Sequence, residues 1–162
     1  SFGSTISDHL TEIVVVDGDG ASRTLRREEM RFGYRASGLG ECDCVVLAEF
    51  LLDGRDPQAI KADMDSVWAQ RLRKHPMEWP SAGSVFKNKN GTPAWKAIDD
   101  AGLRGFRLGD ACISPKHPNF IVNLGHASAR DVKTLIDKVK KEVYEKLGVA
   151  MEEEVELWGF NG

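Results

Sequence analysis

Residues 12–25 read EIVVVDGDGASRTL. Ile13 to Val16 carry the β-branched density of a buried strand, expected over residues 12–16. Asp17-Gly18-Asp19-Gly20 follows at once, a strong hairpin signal between two such stretches. The return strand is expected over residues 22–25. Together with the separated strands and intervening helices further along, this hairpin indicates an α+β fold rather than a regular parallel sheet. The acidic turn also invites a calcium-loop reading, because Glu28 stands where the last ligand of an EF-hand falls. Ala21 and Ser22 occupy positions that need an acid or amide and then glycine, and the motif fails there.

Outward from the hairpin, residues 44–52 form a second apolar strand rich in Val, Leu and Phe. Asp56-Pro57 then opens a helix, with Asp as N-cap and Pro in the first helical position. Ile60, Met64, Val67, Trp68 and Leu72 recur along it at helical spacing, and Pro76 ends it near Lys74. A short helix is expected over residues 93–101, stopped by Gly102. Strands follow at 105–108 and 120–124. Ser128 with Asp131 caps a long helix whose stripe is Val132, Leu135, Ile136, Val139, Val143 and Leu147, and Gly148 ends it. Residues 154–158 alternate apolar and acidic and read as a last strand. Weak boundaries fall at 36–41 and 75–82, neither resembling a long flexible linker.

The 162 residues suffice for a real core, and the composition (41% hydrophobic, 29% charged) is that of a globular protein. The longest apolar run, 44–52, is broken by Glu49, so no membrane span is expected. A formal net charge of −3 excludes a general nucleic-acid binder, and an anionic ligand would need a local basic cluster. Cys42, Cys44 and Cys112 lack zinc-site spacing, and His9, His75, His117 and His126 show no paired-histidine motif. No metal is expected, and the thiols read as reduced and cytoplasmic. No signal-peptide pattern is seen; the chain opens at Ser1 close to strand-like sequence, which reads as a fragment or processed product.

No Walker A loop, dinucleotide fingerprint or G-x-S-x-G elbow occurs. Taken one at a time, the polar residues have plain explanations. Ser84, in PSAGSVFKN (residues 80–88), is a loop hydroxyl. Arg35, in FGYRAS, forms a surface salt bridge or grips a carboxylate with its fork. Glu154 belongs to a solvated acidic run, and His117 and Asn119 cap a turn. Arg71, Arg73 and Lys74 complement a helix C-terminus.

Their joint order is another matter. F-G-Y-R-x-S, S-A-G-S-V-F-K-N, A-W-K-x-I-D-x-A-G-L-R-G-F-R-L-G, K-H-x-N-F-I-V-N-L-G and E-E-E-V-E-L-W-G together resemble the UDP-N-acetylenolpyruvoylglucosamine reductase family from about Gly3 onward. The resemblance implies an NADPH- and FAD-dependent reduction of UDP-N-acetylglucosamine enolpyruvate in bacterial peptidoglycan synthesis. It implies that Arg35 polarises the substrate carboxylate, Ser84 donates a proton and Glu154 stabilises the enol, with Glu153 as the fallback. It places Tyr34, Lys74, Asn88 and His117 on the substrate and Gly3 at the close of a flavin-contacting turn. Lys89 and Glu153 depart from prolines common in the family. The implied fold is the end of an FAD-binding domain of the vanillyl-alcohol-oxidase type (1–53) and a small α+β substrate domain with an antiparallel sheet (54–162). The flavin site is then incomplete, and the chain alone is expected to bind FAD weakly or not at all and to turn over negligibly. The competing expectation is a UDP-sugar-binding module without catalysis.

Overall fold

The computed structural model describes residues 3–89 and 91–160. The chain divides into two units, Ser1–Val67 and Trp68–Gly162, each with its own core.

In the first unit the expected hairpin forms. β1 (Leu10–Val16) pairs antiparallel with β2 (Ser22–Arg26), and β3 (Cys44–Phe50) pairs antiparallel on the other side, giving the order β2-β1-β3. The Asp17 carboxylate turns inward, its Oδ1 accepting from the amides of Asp19 and Ala21 at 3.0 Å each. Leu10, Ile13 and Val15 are buried against Leu25, Met30, Phe32 and Leu39. β3 ends two residues before the expected limit, and all seven of its residues are exposed. Gly38 has φ +73°, and a Cβ there would stand 2.9 Å from the Arg31 Cβ, so only glycine fits that loop.

Helix α1 (Pro57–Lys74) starts and stops as expected. Asp56 Oδ2 accepts from the Ala59 amide at 3.0 Å, which is the N-cap bond. The division between the units falls within this helix. Its apolar stripe is not packed: Ile60, Met64, Trp68 and Leu72 are 39–66% exposed, and no residue of the helix is buried.

The second unit is an antiparallel sheet of β4 (Ser81–Ser84), β5 (Arg107–Leu108), β6 (Ala111–Ile113) and β7 (Phe120–Asn123), in the order β4-β7-β6-β5. The expected strand over 105–108 is only the first arm of a tight hairpin through Gly109 and Asp110, and its second arm, β6, has no separate signal in the sequence. Helices α2 (Ala94–Asp100) and α3 (Ala129–Leu147) close one face. Ala111, Ile113 and Ile121 join Leu135, Ile136, Val139 and Val143 in that core, while Cys112, Phe120 and Val122 alternate to the other face. The α3 capping box and the left-handed Gly148 (φ +68°) are as read from the sequence. Leu147, at the end of the stripe, is 41% exposed.

The expected last strand does not form. One bridge, Phe86↔Glu153, stands in its place. Val85 O accepts from both Glu154 N (2.7 Å) and Val155 N (3.4 Å), so two residues face one and the ladder stops. The alternation survives as burial: Val155 and Leu157 pack on the core while Glu156 and Trp158 are exposed.

Asn119 secures the opposite side of this segment. Its Oδ1 accepts from Phe86 N at 2.9 Å and its Nδ2 donates to Phe86 O at 2.8 Å, with the residue 5% exposed. Replacing Asn119 by Ala strands a buried donor and acceptor, so urea denaturation should show a loss of about 2–4 kcal/mol. Asn119→Asp should also destabilise, because a carboxylate then faces the Phe86 carbonyl.

Candidate functional site

In the second unit, Ser84 closes β4 after an irregular step. The register slips between Ser81↔Val122 and Ser84↔Phe120, and Gly83 inside that step has φ +86°. Such a bulge re-aims a strand end. The next residue, Val85, donates its amide to Asn119 O at 2.8 Å and accepts from Glu154 N at 2.7 Å. Ser84 and Glu154, both half-buried, are therefore brought to one backbone step from two distant parts of the sequence.

The other two glutamates are engaged elsewhere. Lys87 Nζ donates to Glu152 Oε1 at 2.6 Å, and that bond holds the Glu152 carboxyl below its ordinary range. Burial pushes the Glu153 carboxyl up. The hydrogen bond from Lys140 Nζ at 2.8 Å, a backbone hydrogen bond and the Lys140 and Lys133 charges outweigh it, so the group lies below the usual value. Glu153 thus ties the acidic run to α3, which separates it from the role considered for Glu154. Asn88, expected on the substrate, has a structural bond: its Oδ1 accepts from Ala94 N at 2.9 Å and caps α2, whose own N-cap residue is Pro93.

Lys74 and His117 line one cleft of about 420 Å³. Arg73, His75, Arg104 and Lys116 join them there, and the sequence alone assigns none of the last three to a site. Two of the cations are committed. Arg104 forms a fork on Asp99 (2.7 Å twice) and reaches Pro115 O at 2.5 Å. Lys116 Nζ donates to Leu72 O at 2.8 Å, serving one of the last carbonyls of α1. Among the described residues, Arg73 and Lys74 have no side-chain bond, and they supply the cleft's two uncommitted charges.

His75, His117 and Phe120 form a ring cluster with centroids 5.0–5.5 Å apart. In each histidine, Nδ1 is buried without a partner. Burial lowers the His75 pKa, and Arg71, Lys74 and Lys116 lower it further. Burial also lowers that of His117, followed by His75; a backbone hydrogen bond opposes this and Arg104 adds to it.

In the first unit, Tyr34 and Arg35 are the central residues of a tight turn. Gly33 N donates to Ala36 O at 2.9 Å and Ala36 N to Gly33 O at 3.2 Å. Arg35 has φ +56°, the one left-handed residue other than glycine among those described. A turn with its positive φ at the third residue calls for glycine or asparagine there. The guanidinium lies 5.2 Å from the centroid of the Tyr34 ring and borders a cavity of about 380 Å³ with Thr5, Ser7 and Phe32. Gly3, expected at a flavin, is exposed with φ +89°, and its neighbours Ser1 and Phe2 lie outside the described residues. Among the described residues, no helix is long and apolar enough to cross a membrane.

The histidine pair makes a pH prediction. Each folded ring binds a proton less readily than in the unfolded chain, so the unfolded state gains protons first as pH falls through about 6.5. Stability present in full above that value should be lost below it. Melting temperatures taken from about pH 7.5 to pH 5 should decline, and His75→Phe should make the decline shallower.

The family model of the UDP-N-acetylenolpyruvoylglucosamine reductase C-terminal domain matches residues 75–158. A UDP-N-acetylenolpyruvoylglucosamine reductase of Syntrophus aciditrophicus is 41% identical over 162 residues, 100% of this chain and 52% of its own length. A Bacillus cereus reductase of that name is 44% identical over 98% of this chain and 52% of its own. The crystal structure of the reductase from Thermus caldophilus superposes with a TM-score of 0.78 at 39% identity, covering 94% of this chain and 54% of that one. The chain spans about half the length of the curated relatives it matches. With the family's C-terminal domain matching half of its residues and relatives aligned along nearly all of it, the chain belongs to the UDP-N-acetylenolpyruvoylglucosamine reductase family.

Proposed function

We propose that this chain is the substrate-handling part of an enzyme that reduces UDP-N-acetylglucosamine enolpyruvate to UDP-N-acetylmuramate for peptidoglycan synthesis in the bacterial cytoplasm. The observation that carries the reading is the bond from Glu154 N to Val85 O, which sets the acidic run beside the residue after Ser84, in a chain of this family. Residues 54–162 are assigned to the UDP-sugar domain and residues 1–53 to the end of an FAD-binding domain.

On the flavin side the described residues offer Gly3, where a Cβ would meet nothing within 4 Å. Its φ of +89° favours glycine, but a single glycine cannot hold the pyrophosphate of FAD, and that part of the site is assigned to polypeptide other than this chain. Bound FAD, with NADPH as its reductant, would supply the hydride for the enolpyruvyl β-carbon.

The chain's own residues manage the charge and proton that remain. Arg35 grips the substrate carboxylate, where negative charge accumulates, with two parallel donors. Glu154 stabilises the enol. The adjacent carbon is basic enough to take a proton from a positioned hydroxyl, so Ser84 serves as general acid without a histidine partner. Lys74 and His117 hold the diphosphate side of the nucleotide in the cationic cleft, with Tyr34 and Asn88 bordering the substrate.

In the full-length reductase, Ser84→Ala should slow the reoxidation of pre-reduced flavin by the enolpyruvyl substrate at least about a hundredfold. An unchanged rate in single-turnover stopped flow removes the proton-donor role. Arg35→Gly relieves a left-handed conformation, so its unfolding free energy should stay level or rise by up to about 1 kcal/mol while turnover collapses. A loss of stability with turnover intact would make Arg35 a structural residue.

A further inference from the structure

We propose that His75 is a second, uncharged hydrogen-bond donor to the diphosphate of the nucleotide, acting through Nε2–H beside Lys74 in the cleft that His117 also lines. The proposal rests on the diphosphate assignment above and adds to it a residue, a protonation state and a tautomer.

The geometry comes first. His75 and His117 both line the cleft of about 420 Å³. Their rings stand edge to face at 5.5 Å, and His75 stacks on Phe120 at 5.1 Å with an interplanar angle of 25°. That packing fixes the ring. It also buries Nδ1 of each histidine without a partner, whereas neither Nε2 is in that condition.

A buried N–H without an acceptor is rarer in folded proteins than a lone pair without a donor. The proton of the neutral His75 ring therefore belongs on Nε2. An imidazolium would place a second N–H on the buried Nδ1, so the same burial keeps the His75 ring uncharged. The neighbouring charges of Arg71, Lys74 and Lys116 act in the same direction on His75.

Uncharged donors suit this cleft. Arg104 and Lys116 are committed to Asp99, Pro115 and Leu72. That leaves Arg73 and Lys74 as two full charges, which match the two negative charges of a diphosphate diester. Such a diester also presents four non-bridging oxygens, more acceptors than two cations point at. The neutral N–H of His75 satisfies a further oxygen without adding repulsion to the cationic cluster.

The probes are UDP and uridine, titrated calorimetrically into the unsubstituted chain and its variants. His75→Phe keeps the stack on Phe120 and deletes the donor, so UDP affinity should fall about tenfold. His75→Gln, whose amide N–H reaches about as far as Nε2–H, should stay within about threefold of the unsubstituted chain. Uridine affinity should be the same in all of them. His75→Met serves as the donor-free variant if His75→Phe does not fold, as judged by thermal melts. Equal UDP affinity for His75→Phe and the unsubstituted chain, with Lys74→Ala weakened, overturns the role of His75 and leaves the diphosphate assignment standing. Equal losses in the Phe and Gln variants, or a loss of uridine affinity that parallels that of UDP, also overturn it. If Lys74→Ala binds UDP unchanged, or the unsubstituted chain binds none, the diphosphate assignment fails and this inference with it.

Discussion

Asn119 is the side chain on which the geometry of the second unit rests. Its amide is one of the few groups able to present a donor and an acceptor together, and it spends both on the two backbone groups of Phe86. Its own carbonyl takes the amide of Val85. These three bonds extend the hold of β7 past the end of β4, across a stretch where the bulge at Gly83 has broken the regular ladder. The Val85 carbonyl is thereby fixed facing the acidic run, and Glu154 can bind it. A shorter side chain would leave buried peptide groups unpaired, and a carboxylate would lack the donor. The approach of the Glu154 backbone to the residue after Ser84 is thus a consequence of one buried amide 35 residues before the glutamate in sequence.

The cationic cleft has its own internal order. Four positive side chains around one space would repel one another in the absence of ligand. Arg104 is neutralised by the fork to Asp99, which also holds the loop after α2. Lys116 offsets the negative end of α1 through the Leu72 carbonyl. Arg73 and Lys74, in the last turn of the same helix, gain modestly from that same end. The helix-terminus reading and the ligand reading of this cluster are therefore compatible. The helix end makes the charges tolerable at rest, and their lack of committed partners leaves them available.

Much of the fold was legible because the decisive signals are local. D-G-D-G, Asp56-Pro57, Ser128 with Asp131, and Gly148 each act within a few residues, and each forms the structure its chemistry dictates. The failures are of two kinds. β6 is three residues of a tight hairpin, too short for a period to register. The expected strand at 154–158 has the right alternation, but alternation reports burial and says nothing of a partner's backbone; here Val85 O takes two amides and the pairing ends. In the site, the family motifs single out Ser84, Glu154, Lys74 and His117, and the structure gathers them pairwise. Asn88, Asn119 and His75 escape a local reading because their partners lie outside their own neighbourhood: Asn88 caps a helix six residues ahead, Asn119 grips the backbone of Phe86, 33 residues back, and His75 meets a ring 42 residues on. Of these, only the proximity of Asn88 to Pro93, a residue that cannot cap with its own side chain, is open to a closer reading of the sequence.

The places where the chain departs from its own local rules are instructive. Helix α3 obeys every one of them, with a complete N-cap, a continuous apolar stripe and a left-handed glycine stop. Arg35 occupies a left-handed turn position that glycine would fill without strain. Gly83 interrupts a strand just before a half-buried serine, and two histidines bury ring nitrogens with no partner. The left-handed Arg35 and the orphaned ring nitrogens each lower stability by something on the order of 1 kcal/mol, and each falls at or beside a residue marked by the motifs. The bulge alone does not mark a site, since β1 also slips register against β3 at two places. The left-handed backbone at Arg35 and the orphaned ring nitrogens in the wall of the cleft are of another kind, because there a side chain is kept at a cost that glycine or an apolar residue would remove, and a chain shaped around a ligand would show such costs.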